Sequence, residues 1–289
     1  MTEPGPVAVA SALRTATDRL AAAGTGSPRV DAELLLAHLL AVPRSRLMLQ
    51  PALTAGQATG YAELIGRRAS GVPVQHLTGR APYRQLELAV GPGVFIPRPE
   101  TELIVELAAD RLGRAGRVAD LGAGSGAIAL AVAQEYPAAE VYAVEADPVA
   151  LGWLRRNAAE RVAAGDPAIT VLAADLAADD LLAEVAGRFE VVLSNPPYVP
   201  ESIRGELAPE IGHDPERAVY AGPDGLALMP SLLRTAGRLL RPGGLLVIEH
   251  DASHGEALPA LLRAAGCWRE VADRPDLAGR PRFVHAVRG

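Results

Sequence analysis

Arg117-Val118-Ala119-Asp120-Leu121-Gly122-Ala123-Gly124-Ser125-Gly126-Ala127-Ile128-Ala129-Leu130 sets out a strand, a glycine turn and a helix in direct succession. Arg117–Leu121 is a short apolar run that ends in turn residues, the pattern of a buried strand. Gly122-Ala123-Gly124-Ser125-Gly126 interrupts it, and 127–135 resumes with the apolar density of a buried helix. Glycines at alternate positions let the main chain take left-handed conformations and let a ligand approach it closely. The next strand, 140–144, ends at Glu145, about 20 residues beyond the loop. A strand, glycine turn, helix and carboxylate so spaced suit a nucleoside ligand, the acid accepting from ribose hydroxyls. A plain tight turn between strand and helix is the alternative. The spacing is G-x-G-x-G, with Ala127 near the place of the third glycine in the dinucleotide fingerprint G-x-G-x-x-G.

From residue 117 to the C-terminus strand and helix patterns alternate, which predicts an α/β fold with a parallel sheet covered on both faces. Asp147-Pro148 caps a helix running to about Val162, and Ile169–Ala173 is a third strand ending near Asp175. Phe189–Ser194 is a fourth strand, stopped by Asn195-Pro196-Pro197-Tyr198 because neither proline can donate to a ladder. Open α/β sheets place ligands at the carboxyl ends of their strands. Asn195 Oδ1 and the Pro196 carbonyl are two adjacent acceptors, suited to the two hydrogens of a planar –NH2, and Tyr198 offers a flat face beside them. A Pro-Pro turn whose Asn caps its own backbone is the alternative. A helix over 226–240, a turn at Arg241-Pro242-Gly243-Gly244, a strand over 245–249, a last helix (about 255–265) and strands over 267–272 and 282–287 complete the sheet.

Residues 1–72 read differently. Val9, Leu13, Ala16 and Leu20 recur at helical spacing, Ser27-Pro28 opens a second helix with a capping hydroxyl, and Leu34, Leu35, Leu39 and Leu40 supply its buried face. Thr54-Ala55-Gly56-Gln57 has capping-box spacing and starts a third helix. Residues 73–97 read as a β-hairpin linker that turns at Gly91-Pro92-Gly93, and 98–289 as the α/β domain.

The chain of 289 residues has a net charge of −6, and its 28 basic residues are all arginine. Neither Arg67-Arg68 nor Arg155-Arg156 grows into a basic cluster, which counts against a nucleic-acid partner. No apolar run is long enough for a membrane span, and the N-terminus shows no leader pattern, so a cytoplasmic protein is expected. Cys267 stands alone, the six histidines lack ligand spacing, and no metal site is expected. Asp120 suits either of two roles, ordering the loop or facing a cofactor amino group. Asp175 suits either an adenine contact or a surface turn.

Four stretches occur in the order and spacing of one family: Ile96-Pro97-Arg98-Pro99-Glu100-Thr101-Glu102, Asp120–Leu130, Asn195–Tyr198 and Arg241–His250. The chain resembles the PrmC/HemK protein-(glutamine-N5) methyltransferases from about residue 28 onward. The resemblance implies a class I S-adenosylmethionine-dependent methyltransferase: a seven-stranded Rossmann-like sheet with one antiparallel strand, behind a small helical domain and a hairpin; residues 1–72 are expected to dock the protein substrate, since one loop glutamine offers little surface for selection. It implies methyl transfer to the glutamine of the Gly-Gly-Gln loop of class I peptide chain release factors, with S-adenosyl-L-homocysteine as product; a leaving group that departs neutral needs no metal, and a monomeric enzyme is expected. Carried over by position, Gly122, Ala123, Gly124, Ser125, Gly126 and Glu145 hold the cofactor, with Phe95, Arg98, Asp120, Asp175 and Leu176 beside it. Asn195, Pro196, Pro197 and Tyr198 hold the glutamine, with Asn195 also near the cofactor. The family usually has Asp where this chain has Glu145, and often an aromatic residue where it has Leu176. Asn-Pro-Pro-Tyr is shared with adenine methyltransferases of DNA, so a nucleic-acid exocyclic-amine methyltransferase is the second expectation, and a non-catalytic binding module on the same fold the third.

Overall fold

A computed structural model describes residues 7–113, 116–207 and 209–289. The chain divides into two units: one takes residues up to Arg80 and a short stretch ending at His213, the other Ala81–Leu207 and Asp214–Gly289.

In the first unit α1 (Val9–Ala22), α2 (Pro28–Leu40), α3 (Ala55–Ala69) and the short α4 (Val74–Thr78) enclose one apolar cluster. All four residues of the α1 stripe are buried. The capping box forms at α3: the Gln57 N–H donates to Thr54 Oγ1 at 3.2 Å, and the Thr54 N–H to Gln57 Oε1 at 2.9 Å. Two details of α2 differ from expectation. Ser27 makes no side-chain cap bond, and the buried face is Asp31, Ala32, Leu35, Leu36 and Ala37, with Leu34 exposed. The stripe is rotated because Asp31 belongs to it, neutralised by the buried Arg68 (Nε–Oδ2 2.6 Å), which also pairs with Glu210.

The second unit begins inside a two-stranded sheet, β1 (Arg80–Tyr83) and β2 (Leu86–Ala89), of which it takes all but Arg80. Its turn falls at Arg84-Gln85 rather than at Gly91–Gly93, and residues 74–78 are helix α4 rather than hairpin. Arg84 takes φ +52°, held there by its N–H to Glu102 Oε1 (3.1 Å) and its guanidinium to Glu102 O and to Glu135. Gly91 and Gly93 serve close approach instead: a Cβ at Gly91 would lie 2.6 Å from Trp153 Cζ2, and one at Gly93 2.5 Å from Val149 Cγ1.

Then follow α5 (Leu103–Leu112), β3 (Arg117–Leu121), α6 (Ala127–Glu135), β4 (Glu140–Glu145), α7 (Pro148–Ala163), β5 (Thr170–Ala173), β6 (Phe189–Ser194), α8 (Glu216–Val219), α9 (Met229–Leu239), β7 (Leu240–Glu249), α10 (Ala257–Ala264), β8 (Trp268–Pro275) and β9 (Pro281–Arg288). Seven of these strands form one sheet in the order β5-β4-β3-β6-β7-β9-β8. Ladders β5 through β7 are parallel, and β9 runs antiparallel to both neighbours. Successive strand residues feed opposite faces: Val118, Val191 and Val247 join the cluster containing α5, α6 and α7, while Ala119, Val192 and Leu246 join that containing α9 and α10. This is the class I methyltransferase arrangement. The order reverses between β3 and β6, and ligands of open α/β sheets bind at such a switch point.

Candidate active site

The register Asp120↔Leu193 between β3 and β6 brings the glycine loop and Asn195 out at the same sheet end. Ser194 Oγ fastens the two strands by donating to Leu121 O at 2.6 Å. Gly122, Gly124 and Gly126 all have positive φ (+79°, +56° and +89°), so the loop needs glycine at each. The N–H groups of Gly122 and Ala123 both donate to Val144 O at 2.9 Å, which turns the chain over the end of β4. A Cβ at Gly122 or Gly124 would meet nothing within 4 Å, whereas at Gly126 it would lie 2.6 Å from Leu154 Cδ1. The first two glycines border open space, and the third admits α7.

Two carboxylates shape this loop. Glu145 accepts from the Gly124 N–H (Oε2, 2.8 Å) and the Asp147 N–H (Oε1, 2.7 Å). Each oxygen keeps a further lone pair for a ligand hydroxyl. Asp147 caps α7 through Val149 and Ala150 and pairs with Arg217. Asp120 is 1% exposed; its Oδ2 accepts from the Ala129 N–H at 3.1 Å, and its Oδ1 has no partner among the described residues. Burial pushes its pKa up to about 7 against the pull of that N–H, and the Glu145 charge adds to the rise.

Asn195 Nδ2 donates to Thr101 Oγ1 at 3.1 Å, and Tyr198 donates its hydroxyl to Glu249 Oε1 at 2.9 Å. Thr101 is buried in the 3-10 turn Pro99–Glu102, and Glu249 is the buried last residue of β7. Burial raises the Glu249 pKa, partly offset by the hydroxyls of Thr101 and Tyr198 and by the Arg282 charge. Asn157 on α7 is buried and bonds three backbone groups: the Ala89 N–H (2.8 Å), Ala89 O (3.0 Å) and Ser125 O (2.9 Å). It thereby ties the end of β2 to the glycine loop.

The other expected residues lie apart from these bonds. Arg98 stacks over Phe95, its Cζ 5.1 Å from the ring centroid, and pairs with the buried Asp214, whose Oδ1 accepts from the Ile96 N–H at 3.1 Å. Asp175 is exposed and accepts from the Ala177 N–H at 2.8 Å, a local turn. Leu176 is buried in the cluster that contains α9, with its carbonyl bonded by Thr235. Sequence reasoning assigned no role to Thr101, Asn157, Ser194 or Glu249. For Asn157 a signal existed, since it continues the stripe Ala150, Leu151, Leu154 where an apolar residue would fall.

Residues 11–79 match the family described as PrmC N-terminal domain, and residues 86–211 that described as methyltransferase small domain. The release factor glutamine methyltransferase of Mycolicibacterium smegmatis is 46% identical over 280 residues, covering 96% of this chain and 97% of its own. The chain belongs to the release factor glutamine methyltransferases. The Streptomyces coelicolor member is 47% identical, with 94% of this chain and 95% of that one covered. Two solved structures show the fold alone. The T. thermophilus 16S rRNA methyltransferase RsmC, in complex with AdoMet and guanosine, is 24% identical, covers 73% of this chain and 50% of its own, and has a TM-score of 0.51. The hMettl16 catalytic domain, in complex with MAT2A 3'UTR hairpin 1, is 13% identical, covers 81% and 80%, and has a TM-score of 0.55.

Release factor glutamine methyltransferases depend on S-adenosylmethionine, and the residues here fit that cofactor. The open side of Gly122 and Gly124 leaves room at the main chain, and the orphaned buried Oδ1 of Asp120 suits a cationic or N–H-bearing group. Among the described residues no group of three or more His, Cys, Asp or Glu side chains is placed to hold a metal ion, and no helix is long and apolar enough to cross a membrane.

Proposed function

We propose that the chain transfers a methyl group from S-adenosylmethionine to the side-chain amide nitrogen of the glutamine in the Gly-Gly-Gln motif of class I peptide chain release factors. The observation that carries this reading is the 46% identity over 96% of the chain to a release factor glutamine methyltransferase, which takes in the helical residues as well as the sheet. In this reading Gly122–Gly126, Asp120 and Glu145 hold the cofactor, with Phe95, Arg98, Asp175 and Leu176 around it, and Asn195, Pro196, Pro197 and Tyr198 form the glutamine pocket. Bound S-adenosylmethionine supplies an electrophilic methyl on a positive sulfonium and leaves as neutral S-adenosylhomocysteine.

The chain's own part is to prepare the acceptor. An amide nitrogen is a poor nucleophile because its lone pair is delocalised into the carbonyl. Asn195 Oδ1 and the Pro196 carbonyl accept both amide hydrogens, fix the nitrogen and stabilise positive charge as it develops. The amide proton becomes acidic only after transfer, so no base need act beforehand. Supporting this role, Asn195 Oδ1 accepts no hydrogen bond among the described residues, while its Nδ2 is committed to Thr101.

The proposal includes a cytoplasmic monomer without direct nucleic-acid contact, supported on the last point by the net charge of −6. It also gives residues 1–72 the docking of the protein substrate. The exposed Met48 (64%) and Leu49 (76%) of that unit support this, since one loop glutamine offers little surface for selection. The test is transfer of labelled methyl to purified release factor beside its Gln→Ala loop variant. Label that needs the intact loop is expected, with a raised KM for release factor when Met48 and Leu49 are made aspartate. Label on RNA or DNA and none on release factor would overturn the proposal.

A further inference from the structure

We infer that Thr101 and Glu249 are positioning residues that set which way round the Asn195 side-chain amide faces. The inference rests on the reading of Asn195 as the acceptor for the substrate amide.

The two ends of a carboxamide are nearly the same size, so only their partners decide the orientation. Turned the wrong way, Asn195 would present its own two N–H groups to a substrate –NH2, and no hydrogen bond could form. The buried hydroxyl of Thr101 lies beside one end of the amide, 3.1 Å from Nδ2. A hydroxyl has one proton and two lone pairs, so the direction in which it donates settles what it can accept.

Glu249 settles that direction. Its Oε1 takes the Tyr198 hydroxyl at 2.9 Å, and its Oε2 is buried with no hydrogen-bond partner among the described residues. The Thr101 hydroxyl lies beside the same carboxyl and, with the Tyr198 hydroxyl, holds its pKa down against burial. Because Thr101 Oγ1 already accepts from Asn195 Nδ2–H, its own proton is left for the unpartnered Oε2 of Glu249, and that donation keeps the Thr101 lone pairs turned to Asn195. Oδ1 is thereby turned away from Thr101, free for the substrate. The same carboxylate anchors the Tyr198 ring, so one buried acid at the end of β7 orders both walls of the pocket. Thr101 comes from the turn before α5 and Glu249 from β7, which explains why two stretches far from Asn195 in sequence serve the same amide.

The test uses the full chain, release factor as substrate, and separate measurement of kcat, KM and cofactor Kd. Thr101→Val removes the hydroxyl at nearly constant volume. It is expected to lower kcat about tenfold to a hundredfold, the range for losing one orienting hydrogen bond, with both binding constants within about twofold. Thr101→Ser is expected to restore kcat to near the parent value. Glu249→Gln, whose NH2 can donate to Thr101 and reverse its hydroxyl, is expected to lower kcat in the same manner and gives a second route should Thr101→Val fold poorly. Asn195→Ala is run beside them. Full turnover in Asn195→Ala would overturn the pocket reading and this inference with it. Loss in Asn195→Ala, with parent kcat in Thr101→Val and Glu249→Gln, would overturn the positioning role alone. So would equal losses in Thr101→Val and Thr101→Ser, or a fall in cofactor affinity matching the fall in kcat.

Discussion

Replacing Asn157 by leucine should damage the site from a distance, because this one side chain holds two unconnected main-chain segments together. Asn157 is 1% exposed and Ala89 0%. The substitution strips the Ala89 N–H of the acceptor it has at 2.8 Å, and strips Ala89 O and Ser125 O of donors at 3.0 and 2.9 Å. An unsatisfied buried N–H costs about 1–3 kcal/mol, and each carbonyl costs less because its second lone pair is more easily served. The sum is about 2–4 kcal/mol, set against a gain of about 1 kcal/mol from the added apolar surface. Unfolding in urea should therefore show a lower midpoint with an unchanged slope. Cofactor affinity should fall further than stability alone explains, because Ser125 lies inside the glycine loop. Asn157→Asp separates the two effects: it keeps an acceptor for Ala89 N–H but faces two carbonyls with a carboxylate, and should be the worse of the pair. An Asn157→Leu protein with parent stability and parent cofactor affinity would refute the claim that this bond set shapes the loop.

Gly126→Ala and Gly122→Ala should part company although both force a side chain into positive φ. Each carries backbone strain of about 1–2 kcal/mol, but only Gly126→Ala adds a clash, with a Cβ 2.6 Å from Leu154 Cδ1, worth about 1–3 kcal/mol more. Equal urea midpoints would sink that distinction; the expected result is lost stability for Gly126→Ala and lost cofactor binding for Gly122→Ala. Asp120 predicts a pH effect of definite sign. Its pKa of about 7 in the folded chain lies above the ordinary 3.8, so the folded state binds more protons between those values. Stability from this group is full below about pH 4 and drains away as the pH rises through about 7. Asp120→Asn should remove that slope and gain on the parent between about pH 5 and pH 8 in thermal unfolding; parallel profiles would show that Asp120 ionises normally.

Much of the fold was legible because its signals are local. The strand, glycine loop and helix at 117–135, the Asp147 cap and the Thr54–Gln57 capping box all rest on contacts within a few residues, and each formed as read. The hairpin turn was misplaced because its determinants are distant. Arg84 tolerates φ +52° on account of Glu102 and Glu135, which lie 18 and 51 residues away. Gly91 and Gly93 look like turn glycines but answer to Trp153 and Val149 on α7. The α2 face was misjudged for a related reason: Asp31 belongs to the core once Arg68 neutralises it, and no periodicity rule admits an aspartate to an apolar stripe.

The site divides along the same line. Residues that would touch a ligand announce themselves, since glycines at alternate positions and two prolines after an asparagine have few structural substitutes. Residues that hold those in place do not. Thr101 reads as part of a helix entrance, Glu249 as the end of a strand, and Asn157 only as a polar break in the buried stripe of α7. Each has a polar atom that finds its partner only after β3, β6, β7 and α7 have packed. Burying them in this way costs desolvation that apolar residues at the same positions would avoid. Leucine at Asn157 or valine at Thr101 would satisfy the hydrophobic pattern better. Their place at the sheet's switch point, where the glycine loop and Asn195 emerge side by side, is what a fixed orientation of that loop and that amide requires; packing alone would not call for them.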